Sequence, residues 1–386
     1  MDFIVNTLER AVTVSVDVIL PFLIVLTILV FVHEMGHFWV ARRNGVRVDV
    51  FSIGFGPELF GWNDRHGTRW KFSAVPLGGY VKMFGEYDAE DGGEDGEPRP
   101  EMTPEEQAVS FHHKKLRQRT AIVAAGPIAN FIFAIVMFAV LFTLVGNPRP
   151  LAGVGRVVED SAAAEAGFQT GDTILAIDGQ AVHWFADLRA IVSASPGKPL
   201  AFDVKRGDDL LVLTAVPKPK EETGPDGTVV TIGQLGVGVD SNQIGYEKQD
   251  PLTAIQQGVE RTWGMTTQIL DFLGGLTQGR GSADDLGGPI QIAKISGEMF
   301  SAGWVEFFFF MAALSVNLGL INLFPVPMLD GGHLMFYAAE AVRGKPLSAR
   351  AQEYGFRFGL VLVLLLMVFV TWNDLMRIEL IKNLVN

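Results

Sequence analysis

The segment Ile19–Ala41, ILPFLIVLTILVFVHEMGHFWVA, constrains this chain more than any other stretch. As an α-helix it would run about 34 Å, enough to cross a hydrocarbon core about 30 Å thick. It also carries His33, Glu34 and His37. Ionisable groups are costly at that depth and usually mark function. Residues four apart share one helix face, so His33 and His37 can offer two imidazoles to one Zn²⁺, with the Glu34 carboxylate beside them as general base. The pattern implies hydrolytic chemistry within a bilayer.

Of the 386 residues, 48% are hydrophobic and 19% charged. That is too apolar for an ordinary soluble domain and too polar for membrane helices alone, so spans joined to water-exposed modules are expected. A net charge of −12 argues against nucleic acid as a partner. The absence of cysteine rules out disulfides and a thiolate zinc site, so any metal must be held by His and carboxylate. Asp2, Glu9 and Asp17 precede the first span without a basic n-region, so the N-terminus reads as an uncleaved anchor.

Three more apolar segments follow, Thr120–Val145, Trp304–Phe324 and about Tyr354–Trp372, making four spans. Arg42 and Arg43, the run His112–Arg119, and Arg343, Lys345, Arg350 and Arg357 flank them. The positive-inside rule places both short loops in the cytoplasm, with residues 146–303 and both termini outside. His37 stands five residues before Arg42, which sets a metal there roughly 7–13 Å inside the cytoplasmic boundary.

Residues 46–85 alternate and contain turn glycines, which predicts short antiparallel strands joined by a turn at Asn63–Gly67. Residues 86–107 are acidic and of low complexity, and are expected to be a disordered tether. Residues 151–240 read as a soluble module: a strand, a short helix from Ser161, a second strand after Gly171-Asp172, an amphipathic helix FADLRAIVSASPG and a hairpin about Gly207-Asp208. Residues 251–275 show helical spacing but too many polar groups for a span, and read as a surface helix.

A hydrolytic zinc site needs a third protein ligand and an open position. The best candidate is Asp330, in NLFPVPMLDGGH at the end of the third span. Pro325 and Pro327 break the helix there, and Gly331-Gly332 permits a sharp turn. Broken backbone at membrane depth is tolerated where it lines protein or a cavity. His333 is a competing ligand. Asp-Gly-Gly alone would be an ordinary loop turn.

Taken in order, these motifs resemble the site-2 protease family of intramembrane zinc metalloproteases (peptidase family M50), in its bacterial sigma-E pathway branch. The resemblance runs through HEMGH, Gly54-Phe55-Gly56-Pro57, Pro76-Leu-Gly-Gly-Tyr80, Ala124-Ala-Gly-Pro-Ile-Ala-Asn130 and Asn317 to Asp330. At Ala166-Gly167, Gly171-Asp172 and Asp178-Gly179 the soluble module resembles a PDZ domain. The implied fold is a polytopic α-helical membrane protein of about four transmembrane helices, with a cytoplasmic membrane-associated β region and a periplasmic α+β PDZ domain. The implied organisation is 1–45 with the first helix, 46–118 with the β region and acidic loop, 119–146 with the second helix and 151–240 as the PDZ domain. A surface helix and linker follow at 250–303, the third helix with Asp-Gly-Gly at 304–335, and the fourth helix and tail at 350–386.

The resemblance implies one Zn²⁺ held by His33, His37 and Asp330, with Glu34 as catalytic base. It implies that Asn317 and Asn322 hold substrate or its developing oxyanion; helix–helix hydrogen bonding is the alternative. It assigns Gly126, Pro127 and Asn130 to close packing and makes them second-tier site candidates. Substrates would be single-span membrane proteins, such as anti-sigma factors or remnant signal peptides, cut within the inner membrane of a bacterium, with the site towards the cytoplasm. The β region would pair with unwound substrate. Within the PDZ module, Leu151-Ala152-Gly153-Val154 would bind a peptide C-terminus, the peptide adding beside the helix near Asp187–Ser193. Best-known family members carry two PDZ domains, and here only one is evident. The competing readings are a catalytically inactive membrane PDZ adaptor and a metal transporter; no internal repeat supports the latter.

Overall fold

A computed structural model describes residues 15–85, 102–223, 229–240, 242–282 and 286–377. The expected N-terminal anchor residues before position 15, most of the acidic tether and the tail beyond Arg377 lie outside the described residues. The chain divides into two compact units, Met1–Leu141 with Pro251–Asn386, and Phe142–Asp250.

In the first unit, α1 spans Leu20–Arg43. Its apolar residues are spread over all its faces, so composition cannot say which face turns inward. The buried residues do: Val25, Leu29, His33, His37 and Ala41 recur every four residues and form one stripe. Strands β1 (Val48–Asn63) and β2 (Arg69–Met83) make an antiparallel ribbon, with Phe51 opposite Val81 and Ser52 opposite Tyr80. The strands are longer than the sequence suggested because bulges absorb its glycines and Pro57. At Gly54, φ is +90° and a Cβ would lie 2.8 Å from the Val75 carbonyl oxygen, so only glycine fits. The base of the ribbon seats on α1 through Phe51, which is fully buried, stacks on Trp70 at 4.4 Å and meets Phe38 edge-on at 5.5 Å. Burying that phenyl ring contributes roughly 2–3 kcal/mol. Towards its tip the ribbon exposes Leu59, Phe60, Trp62 and Phe72.

Helix α2 (Pro104–Val109) corrects part of the expected tether. Thr103 accepts from the Glu106 N–H, and the Glu106 carboxylate accepts from the Thr103 N–H, a capping box that starts a helix within the acidic run. Helix α3 follows at Leu116–Leu144.

The second unit contains β3 (Asn147–Pro150), β4 (Val154–Val157), α4 (Ala162–Glu165), β5 (Thr173–Ile177), β6 (Gln180–Ala181), α5 (Phe185–Ser193), β7 (Leu200–Arg206), β8 (Asp209–Ala215), β9 (Lys218–Thr223), β10 (Val229–Gln234), β11 (Val237–Val239) and β12 (Ile244–Glu247). Four strands form a sheet in the order β6-β5-β7-β8, and the others pair as β9 with β10, β4 with β11 and β3 with β12. Val154, Ile174, Leu188, Phe202 and Val204 fill one core. Ser161 caps α4 as its position predicts, its hydroxyl accepting from the Ala164 N–H. Asp172 is buried beneath Arg206, which donates to both carboxylate oxygens at 2.7 and 2.8 Å. Burial alone would raise the Asp172 carboxyl, but the Arg206 and Gln169 N–H donors outweigh it and hold it below the usual range.

One expectation for this unit fails. The four N–H groups of Leu151, Ala152, Gly153 and Val154 donate to Gln243, His183, Leu151 and Asp172 carbonyls respectively. With every donor engaged, that segment cannot receive a carboxylate.

Returning to the first unit, α6 (Pro251–Thr277) is the expected amphipathic helix. A second helix, α7 (Pro289–Ala302), stands where only a linker was expected. Its start is capped from a distance: Asp374, 3% exposed, accepts from the N–H groups of Gly288, Ile290 and Gln291 at 2.9–3.0 Å. Helices α8 (Trp304–Leu323), α9 (Asp330–Arg343) and α10 (Ala349–Arg377) complete the described residues, with Asp374 on α10. Among the described residues, four helices are long and apolar enough to cross a membrane, at Val16–Arg43, Leu116–Leu144, Trp304–Leu323 and Arg350–Arg377.

Candidate metal centre

Asp330 belongs to the first turn of α9 rather than to the third span, whose helix stops at Leu323. Pro325 and Pro327 lie in the break, and Met328 there adopts φ +104°. Gly331 and Gly332 serve contact, not turn geometry. A Cβ on Gly331 would lie 2.2 Å from the Phe324 oxygen and 2.3 Å from the Leu323 oxygen; one on Gly332 would lie 2.5 Å from the Val326 oxygen. Their bareness lets α9 fold back against the end of α8. The far end of α9 is fastened to α3, where Arg119 meets Glu340 at 2.6 Å and lies over the Tyr337 ring.

This fold-back brings Asp330 to α1. Its Oδ2 stands 3.1 Å from His33 Nε2 and 3.5 Å from His37 Nε2, and the two imidazole nitrogens are 3.2 Å apart. Ligands about 2.1 Å from a tetrahedral centre stand about 3.4 Å apart. The three atoms therefore have the mutual spacing that zinc requires. Their chemistry agrees. His37 Nδ1 lies 2.9 Å from the Ile122 carbonyl, which can only accept, so Nδ1 carries the proton and Nε2 presents a lone pair. Asp330 Oδ2 is buried yet receives no hydrogen bond. A cation resolves this convergence of acceptors. His333 is not part of the cluster.

Helix α3 shapes the centre. Gly126 lies against both rings: a Cβ there would come 2.2 Å from His37 Nε2 and 2.9 Å from His33 Cε1. Asn130 is fully buried, with Nδ2 3.1 Å from His33 Nδ1 and Oδ1 without a partner. For His33 to offer Nε2 to a metal, Nδ1 must hold the proton, so Asn130 must face it with Oδ1; rotating the amide achieves this in place. Ser315 of α8 donates to the Asn130 carbonyl at 2.8 Å, which joins the third span to the same point.

Glu34 faces a cavity of about 270 Å³ lined also by His33, His37, Tyr80, Val81, Asn322, Asp330 and His333. The Val81 N–H donates to the Glu34 carboxylate. Strand β2 rides directly on α1 here, since a Cβ on Gly79 would lie 3.0 Å from Val30 Cγ1 and 3.6 Å from Glu34 Cγ. Asn317 does not line the cavity. Five helical residues separate it from Asn322, which turns it about 140° around α8. Tyr80 and Val81 reach the centre through strand pairing, which leaves no local signal in sequence; Asn130, a second-tier candidate from its motif, reaches it through helix packing.

Residues 21–366 match the family model for peptidase family M50. The chain is 49% identical to a protein of Rhizobium meliloti (strain 1021) that carries a zinc metalloprotease name, over 92% of this chain and 95% of that one. It is 39% identical to the metalloprotease MmpA of Caulobacter vibrioides, over 93% and 96% of the two chains. With the regulator of sigma E protease of Salmonella typhi it shares 32% identity over 92% and 98%. That last alignment runs over 452 positions, longer than this chain, so that relative carries sequence absent here. Among solved structures, the PDZ domain of the SdrC-like protein from Listeria monocytogenes overlaps 24% of this chain and 90% of its own, at 22% identity and a TM-score of 0.19, too low to carry an argument. The chain belongs to peptidase family M50 and is a zinc metalloprotease.

Proposed function

We propose that the chain is an intramembrane zinc endopeptidase that cuts single-span membrane proteins within or near their transmembrane segment, with His33, His37 and Asp330 as zinc ligands and Glu34 as base. The observation that carries this reading is the convergence of His33 Nε2, His37 Nε2 and Asp330 Oδ2 within 3.1–3.5 Å, on and beside a helix long and apolar enough to cross a membrane. Zinc bound there supplies Lewis acidity towards the scissile carbonyl and makes water a stronger acid.

Glu34 takes the proton of the attacking water and delivers it to the leaving amine. The Val81 N–H holds its carboxylate at the cavity. Asn322 lines the same cavity and offers an amide donor to the developing oxyanion; Asn317 acts only indirectly, through the packing of α8. A transmembrane helix must unwind to expose its amide. The segment Gly79–Met83 of β2, at the cavity wall, is the place for the unwound chain to pair as a strand. Exposed Phe60, Trp62 and Phe72 suit contact between the ribbon and lipid. The β-rich unit is a PDZ domain that engages peptide.

The location is the inner membrane of a bacterium. Both short loops lie on the cytoplasmic side, with the zinc towards that face and the β-rich unit and both termini on the other. Anti-sigma factors and remnant signal peptides are the substrate classes. The test is product mass spectrometry on a reporter with one transmembrane segment. Cuts inside the apolar stretch are expected; cuts confined to its soluble flanks would overturn the reading. Because the chain has no cysteine, single cysteines placed at Lys115 and Lys205 report orientation directly by labelling in intact spheroplasts. Only the second should react with an impermeant reagent.

A further inference from the structure

We propose that His333 is a further catalytic residue, whose ring N–H donates to the oxyanion that develops as the peptide bond is attacked. This rests on the reading of the chain as a zinc endopeptidase and adds a group to its site. Most polar side chains around the cavity of about 270 Å³ are already committed. His33, His37 and Asp330 converge on the metal position. Glu34 is held by the Val81 N–H and acts on the water. Tyr80, Asn322 and His333 remain. The His333 ring is half-buried and forms no hydrogen bond or ion pair among the described residues. A polar ring left unsatisfied in such a place costs stability. Ionisable groups kept at membrane depth usually serve function.

Position argues for the role. Asp330 and His333 stand three residues apart on α9, so they are neighbours on one face, with Cβ atoms about 5–6 Å apart. The scissile carbonyl must approach the metal position that Asp330 marks, which brings its oxygen within reach of an imidazole on that face. Asn322 comes from the last turn of α8, on the other flank of the break that holds Pro325 and Pro327. The break thus presents a donor from each flank, an amide from α8 and an imidazole from α9.

Packing fixes the ring without engaging its nitrogens. Phe356 of α10 lies 5.3 Å from it at 52°, and Phe336 meets Phe356 edge-on at 5.7 Å. Two bare positions bring α10 this close. A Cβ on Gly355 would lie 2.8 Å from Phe336 Cζ, and one on Gly359 would overlap the Pro327 carbonyl oxygen. A neutral imidazole carries one N–H and one lone pair. A carbonyl oxygen only accepts, so the N–H faces it. A donor held in place beforehand stabilises the oxygen more as it gains charge, which accelerates the reaction rather than tightening substrate binding.

The test compares full-length, zinc-loaded wild type in detergent with His333→Phe, which keeps a ring but no donor, and His333→Gln, which restores an amide donor. Cleavage of the single-span reporter, zinc content and affinity for a fluorescent phosphonamidate peptide are measured together. The tetrahedral anion of that peptide mimics the intermediate. His333→Phe should lower kcat about a hundredfold and leave KM within about twofold, with zinc content unchanged. It should weaken the phosphonamidate by a comparable factor. His333→Gln should recover about tenfold or more of kcat over His333→Phe. Wild-type kcat in His333→Phe, loss of zinc along with activity, or equal losses in the two variants would overturn the assignment. A wild type that holds zinc yet leaves the reporter uncut would instead overturn the protease reading on which it rests.

Discussion

Gly126 on α3 lies so close to His37 on α1 that a single methyl group would sit 2.2 Å from the Nε2 atom meant for zinc. Real Cβ contacts do not reach that distance, so either the ring or the helix must move. Gly126→Ala is expected to lower zinc affinity at least tenfold, measured by competition with a chelating dye. Unchanged affinity would show that α3 does not shape the centre.

Asn130 sets the proton on His33. Outer partners of metal-bound histidines are typically worth about 10–100-fold in affinity. Asn130→Leu should show a loss of that order. Asn130→Asp should retain most affinity, because a carboxylate accepts from Nδ1–H as the rotated amide does. Equal losses in both variants would assign Asn130 to packing alone.

Met328 holds φ +104°, a region costly for any residue with a Cβ, by about 1–3 kcal/mol. Met328→Gly should therefore leave thermal stability within about 1 kcal/mol of wild type. Met328→Val should destabilise by about 2 kcal/mol or more, because a β-branched residue tolerates that backbone worst. Thermal melting in detergent distinguishes the two.

Asp172 gives the β-rich unit a defined acid sensitivity. Its folded pKa lies below the unfolded value of about 3.9, so the unfolded chain binds its proton first. The stabilisation is complete above about pH 4 and fades as pH falls towards the depressed folded value. Asp172→Asn removes the charge that Arg206 faces, leaving the guanidinium its bond to the Gly167 carbonyl, and should lower the stability of the unit at neutral pH. Hydrogen exchange at the Gln169 amide, which donates to this carboxylate at 2.8 Å, is the readout. Exchange that is insensitive both to the substitution and to acid would contradict the assignment.

The four spans were legible because hydropathy alone defines a helix long enough to cross a bilayer. The inward face of α1 was legible only around His33, Glu34 and His37, since nearly every other position before Arg42 is apolar. Asp330 was legible as a candidate because prolines and glycines surround it, although its helix was misjudged. Pro325 and Pro327 end the third span before Asp330, and the glycines answer backbone contacts rather than turn angles. Helix α7 was missed because its polar residues lack a span's hydropathy and its cap, Asp374, lies far along the chain. The peptide terminus was assigned to Leu151–Val154 because local sequence does not reveal that Gln243, His183 and Asp172 carbonyls occupy those donors. Long-range pairing decided each of these points.

The central claim is that α1 and α9 together hold one zinc and that Glu34 acts on the water beside it. Zinc content and reporter cleavage, measured on the same preparations, test it most directly. Wild type should hold about one zinc per chain and cleave, with cleavage lost on chelation. Glu34→Gln should keep its zinc and lose cleavage by about a thousandfold or more, the loss expected of a general base that also returns its proton. Asp330→Ala should lose both. Cleavage by Glu34→Gln at the wild-type rate, or full zinc retention in Asp330→Ala, would contradict the account.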